Sequence, residues 1–275
     1  MKRKKAGLLP FVMLGIIAVL CLLAPLLPLP NPEAMNITKR FALPTLQEPF
    51  GMDEFGRSVM SRLIWGTRIS LVIAVTSALA AAAIGTAFGV LAGYLRGLTE
   101  TLVMRSVDVL LCLPTLLMAM LFVTLYGPGT ATVIPVLAVV YAPTFTRVAY
   151  ACVLSVRSME YVEATETLGA SRLRIMVRTI LPNISGPMLV QLSLAAASAV
   201  VLESGLSFLG LGVVPPSPSL GGMIGAARST MAHSVGLLVW PCIVLSIVTL
   251  TMYGTCDVLR DWLDPRGGRA TEVLR

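Results

Sequence analysis

Apolar and polar positions alternate along this chain on the scale of whole helices, not single residues. Six stretches approach or exceed the roughly 20 residues an apolar helix needs to span a bilayer: 8–29, 70–95, 103–125, 131–151, 186–209 and 235–256. Between the fourth and fifth lies a charged island at 161–182, with Glu160, Glu163, Glu166, Arg172, Arg174 and Arg178 in or beside it. The island predicts a helix over 163–168, a stop at Gly169 and a second helix over 171–181. Ser171 is placed to cap the second helix, with Leu173, Val177, Ile180 and Leu181 on one face. Pro182 cannot donate a backbone hydrogen bond and predicts an end to that helix. The expected product is a pair of short angled helices between membrane spans, offered to another protein.

The remaining pattern refines the spans. Residues 30–69 form one polar segment, irregular at Pro30, Pro32, Pro44 and Pro49. Residues 57–67 predict an interfacial helix, an amphipathic lead-in to the second span, or both, with Val59, Leu63, Ile64 and Trp65 on lipid or protein and the arginines at headgroup level. Ala81, Gly85, Gly89 and Gly93, each four apart, make a small-residue ridge for close helix packing, within the chain or against another subunit. Arg105 and Asp108 stand one turn apart at the start of the third span, which suits an intrahelical pair or a gating role. Pro114, Pro135 and Pro143 predict bent helices. Glu203 is the clear carboxylate inside a span. A charge there costs about 2.5 to 3.5 kcal/mol near a bilayer centre, so it is expected either to line the pore or contact substrate, or to hydrogen-bond structurally at the subunit interface.

Composition agrees with a membrane chain. Of 275 residues, 56% are hydrophobic and 13% charged, against about a quarter charged in soluble domains. The mean hydropathy is +0.85. Placing the N-terminus in the cytoplasm puts fifteen of the 21 Lys and Arg residues on the inner side, so the net charge of +7 follows topology and does not call for nucleic acid. Both termini and the 161–182 island are then expected inside. Lys2–Lys5 before an apolar run is like a signal peptide, but the run is long and lacks a small-residue cleavage site, so a retained first span is expected. The expected division is 1–69, an anchor span with an external segment, and 70–275, a five-span core carrying the loop 152–185.

Glu163, Ala164 and Thr165, then Gly169 and Ala170, then Ile180, Leu181 and Pro182 resemble a cytoplasmic-loop motif of ATP-binding-cassette (ABC) importer membrane subunits. In that motif Glu-Ala-Ala is followed after three residues by Gly, and later by a hydrophobic residue and Leu-Pro. Thr165 departs from the second Ala, and Thr179 from a usual Ile. Further blocks resemble the peptide and nickel branch of these permeases: Asp53, Gly56, Arg57 and Arg62 in an external signature, Met104–Asp108 with Pro114, LESGLSFLGLG around Glu203, the Pro-Gly stretch 210–228, and the tail from Asp257 to Arg266. Ser58, Leu220, Tyr253 and Cys256 stand where that branch usually has Asp, Trp, Asn and Gly.

The resemblance implies an all-α membrane protein of the type I ABC importer permease fold, with six transmembrane helices and a cytoplasmic coupling helix. It implies pairing with a homologous permease as a heterodimer, two ATPase subunits gripping the coupling loops, and an extracytoplasmic binding protein delivering peptides, nickel or metal chelates. The 161–182 loop is expected to carry ATPase closure to the pore, with Glu163 as a polar anchor and Gly169 as the bend. Location in the bacterial inner membrane follows.

The chain contains no phosphate-cradling GxxxxGK[ST] loop, so ATP and magnesium are expected on the partner ATPases and no cofactor here. His233 is the only histidine, which excludes multi-His metal sites within the chain, and the five cysteines show no CxxC spacing. The rival class is a self-sufficient secondary transporter or channel, which would call for paired intramembrane charges or inverted repeats.

Overall fold

A computed structural model describes residues 8–263, which fold mainly into helix, with a largely irregular segment over 24–58. Among them the order is α1 (Leu9–Leu23), α2 (Val59–Leu95), α3 (Gly97–Cys112), α4 (Thr115–Tyr126), α5 (Thr130–Arg157), α6 (Glu160–Thr167), α7 (Arg172–Phe208), α8 (Leu220–Thr230) and α9 (Gly236–Leu263). The basic cluster Lys2–Lys5 and the tail residues from Asp264 onward lie outside the described residues.

α2, α5, α7 and α9 are each long and apolar enough to cross a membrane, and the pair α3–α4 makes a fifth crossing if counted as one. The expected six spans are therefore met approximately, with two corrections. The run 8–29 yields a 15-residue helix, about 22 Å long at 1.5 Å per residue. Pro25, Pro28 and Pro30 end it because each lacks the amide proton a continuing helix needs. The run 103–125 is not one helix, since α3 and α4 meet at 94°. Leu113 at the corner is extended (φ −86°, ψ 135°), as expected of a residue whose backbone is crowded by a following proline, here Pro114.

α2 and α5 form the spine. A Cβ placed on Gly85 would lie 2.4 Å from the Ala142 carbonyl oxygen, one on Gly89 2.5 Å from Ala149 Cβ, and one on Gly93 2.8 Å from Val153 Cβ. The small-residue ridge is thus an internal contact with α5. Where lipid replaces water, this close backbone approach supplies dispersion contacts that apolar burial alone does not. α7 packs beside the spine, and α9 lies against α7 and α1. Phe11 of α1 stacks on Trp262 of α9 at 5.6 Å. α2 has 37 residues, about 55 Å, so it extends well beyond the roughly 30 Å of a hydrocarbon core. Its first turns are continuous with the span, so the interfacial stretch expected over 57–67 is a lead-in to it.

Candidate functional site

The two ends of α2 carry the two groups of residues singled out by sequence. At its C-terminal end stands the charged island. Glu160 and Glu163 occupy the first turn of α6, where carboxylates interact favourably with the unpaired amides of a helix N-terminus. Val162 turns inward and is 1% exposed. The helix closes with two bonds, Gly169 N–H to Glu166 O at 2.9 Å and Ala170 N–H to Thr165 O at 3.3 Å. This is a Schellman cap, and it requires Gly169 at φ +81°, a left-handed conformation that costs other residues about 1–2 kcal/mol. Nothing surrounds a Cβ at Gly169, so the demand is conformational and not steric. Glu163, Ala164 and Gly169 are exposed, Ala170 is half-buried, and Leu168 is 87% exposed. A carboxylate, a small residue and an uncovered leucine thus form the outward face of a short, well-capped helix.

Ser171 caps the next helix, its Oγ accepting from Arg174 N–H, as the sequence predicts. That helix does not stop at Pro182. Residues Ile175–Ile180 widen into a π-helical turn, with Leu181 N–H bonded to Met176 O, five residues back. The wide turn makes room for the proline ring, and the Asn183 side-chain amide donates to the Thr179 carbonyl at 2.6 Å. Pro182 is thus accommodated within the helix, and α7 runs on as one 37-residue helix. The same turn corrects the expected apolar face. Ile175, Ile180 and Ile184, five and then four residues apart, are buried to 1% exposure or less. Leu173, Val177 and Leu181 instead line an open apolar groove of about 600 Å³ between α7 and α2.

At the other end of α2 the external signature is an ion-pair cluster. Arg57 Nε lies 2.6 Å from Asp53 Oδ2, and Arg62 Nε lies 3.6 Å from the same oxygen. Asp53 Oδ1 accepts from the amides of Phe55 and Arg57 at 2.9 Å each. Arg62 Nη1 donates to the carbonyls of Pro32 and Pro216, at 3.0 and 3.3 Å. Gly56 turns at φ +68°, and a Cβ there would sit 1.8 Å from the Asn36 carbonyl oxygen. The arginines were expected at the headgroup level; instead they are 6–7% exposed, because Asp53 gives them a counter-charge inside the protein. Ser58, where the resembling branch has Asp, still caps α2 by accepting from Ser61 N–H.

Glu203 is wholly buried near the C-terminal end of α7. Ser207 Oγ donates to its Oε1 at 2.7 Å and accepts from Val213 N–H at 3.1 Å. Ser204 Oγ lies 3.5 Å from Oε2. With no exposed surface in this chain, the carboxyl is an internal acceptor linked through Ser207 to the loop that follows α7. Asp108 pairs with Arg147 of α5 at 2.7 Å, both half-exposed, and not with Arg105 as the intrahelical expectation had it. α3 lies against α5 and presents Asp108 across that contact, while Arg105 stays exposed.

Sequence reasoning passed over Tyr94 and left Glu166 as one charge among several. The Tyr94 hydroxyl donates to Glu166 Oε1 at 2.8 Å, and the Arg157 guanidinium lies 5.6 Å from the Tyr94 ring centroid. The available signal was a tyrosine directly following Gly93, where the glycine ridge ends.

This all-helical architecture, with long apolar helices interrupted by one capped polar helix, is that of a membrane transport permease. Residues 85–268 match the family described as binding-protein-dependent transport system inner membrane component, and the chain belongs to that family. It is accordingly a pore-forming permease subunit of an ABC importer. It is 32% identical over 271 residues to the dipeptide transport system permease protein DppC of Haemophilus influenzae, covering 96% of this chain and 92% of that one. It is 38% identical over 218 residues to the di/tripeptide transport system permease protein DppC of Pseudomonas aeruginosa, covering 78% and 71%. Its fold is similar to a chain of the inward-facing MetNI methionine ABC transporter, with a TM-score of 0.63 at 17% identity, over 74% of this chain and 97% of that one.

Proposed function

We propose that this permease serves peptide uptake and that α6 is the coupling helix on which an ATPase subunit acts. The observation that carries the reading is the outward face of α6, where Glu163, Ala164 and Leu168 stand exposed between Val162, which anchors it, and the Gly169 cap. Glu163 offers a charged acceptor to a partner, while Gly169 and Ala170 set the angle at which Leu181 and Pro182 follow. Peptide cargo is supported over nickel or metal chelates by the printed names of the relatives, which specify dipeptides and di/tripeptides. The working assembly is a heterodimer with a homologous permease, two ATPase subunits that bind ATP and magnesium, and an extracytoplasmic binding protein. The chain itself hydrolyses nothing in this scheme. The charge bias supports α6 and both termini on the cytoplasmic side, which leaves the Asp53 cluster and the 210–228 stretch facing the binding protein.

The test is affinity purification of the tagged chain from native membranes, followed by dialanine uptake in proteoliposomes loaded with ATP. Co-purification of ATPase subunits and ATP-dependent dialanine uptake are expected. Gly169→Pro, which cannot adopt φ +81°, should insert normally and lose uptake. A chain that purifies alone and moves dialanine without ATP would overturn the assembly. ATP hydrolysis without uptake of dialanine or other short peptides would overturn the cargo.

A further inference from the structure

α6 is joined to its neighbours by two non-helical corners, Ser158–Met159 before it and Gly169–Ala170 after it. Such corners absorb backbone rotation, so chain connectivity alone transmits little of any displacement of α6. Two side-chain contacts hold the helix to the body. Val162 sits in an apolar cluster with Val90, Val153 and Ile175, a contact that is non-directional and tolerates sliding. The Tyr94–Glu166 bond is directional and charge-assisted. Its donor is fixed: Tyr94 is 6% exposed, lies in the last turn of α2 and carries Arg157 over its ring. Gly93 beside it seats against Val153 with no room for a Cβ, so α2 and α5 meet there as one body. A second tyrosine–carboxylate bond, Tyr150 to Glu100, ties the start of α3 to α5.

We propose that the Glu166–Tyr94 hydrogen bond is the positioning contact that carries movement of α6 into the α2–α5 spine. The proposal rests on the reading that α6 meets an ATPase subunit. Glu166 then acts through Tyr94, with no contact to cargo or nucleotide.

The test is amide hydrogen exchange on the complex purified from native membranes, with and without ATP plus vanadate. In the wild type, exchange at 160–167 and at 90–96 should change together. Tyr94→Phe and Glu166→Ala should retain the ATPase subunits and the response at 160–167, yet lose the response at 90–96. Glu166→Gln, whose amide oxygen still accepts the hydroxyl, should keep both. An unchanged response at 90–96 in Tyr94→Phe and Glu166→Ala overturns the proposal, as does loss in Glu166→Gln as complete as in Glu166→Ala. Wild-type 160–167 amides that ignore nucleotide overturn the ATPase contact itself, and the proposal with it.

Discussion

The two ends of α2 are built on opposite principles. At the Asp53 end, segments from residues 30–42, 51–62 and 216–219 converge on a buried charge cluster, and nearly every polar group there is used inside the chain. At the Glu166 end, a short helix is held by one buried valine, one hydrogen bond and a backbone cap, and its polar face is left open. The first arrangement resists displacement because moving any segment strands a charge away from water. The second leaves α6 open to a partner, with one directional bond joining it to the spine. A transporter that must be pushed at one end and hold shape at the other is served by this asymmetry.

The sharpest way to break the comparison is Asp53→Ala. It leaves Arg62 buried without its paired carboxylate and Arg57 with only Glu54, at 3.7 Å, and removing one partner of such a group costs about 3–5 kcal/mol. Thermal unfolding in detergent, followed by circular dichroism, should show a large fall in Tm, or the protein should fail to accumulate. A Tm within a degree or two of wild type would mean the cluster is hydrated. Next in size is Gly89→Ala on the spine between the ends. The added methyl meets Ala149 and the Thr146 carbonyl, and overpacking of this kind costs about 1–3 kcal/mol. Gly169→Ala should cost about 1–2 kcal/mol locally through the left-handed cap, read as faster amide exchange over 160–167 with little change in global Tm. The smallest stability effect belongs to Glu163→Gln, within about 0.5 kcal/mol for an exposed side chain. Its expected signature is weaker co-purification of ATPase subunits. If Glu163→Gln lowered Tm as Asp53→Ala does, the contrast between the two ends would collapse.

Much of this was legible from local chemistry. The stop at Gly169 and the cap at Ser171 depend on neighbouring residues alone, and both stand where the sequence places them. Pro182 was misread for a related reason. Its missing donor is a local fact, but the π turn that accommodates its ring involves the whole helix before it. The expected face of Leu173, Val177, Ile180 and Leu181 assumed 3.6 residues per turn, and the wider turn parted Ile180, buried with Ile175 and Ile184, from the other three.

What the sequence determined by itself was the class of solvent, the approximate spans, the ridge of glycines and the residues of the presented helix, because each depends on composition or on spacing within one helix. The tertiary structure alone decided that the ridge packs on α5, that Asp108 answers Arg147, that Arg62 reaches Pro216, and that Tyr94 meets Glu166. Those partners lie 39 to 154 residues apart in the chain, and no local period relates them. Their pairing follows from which helices pack together, and a buried or half-buried charge takes the counterpart that packing brings within reach.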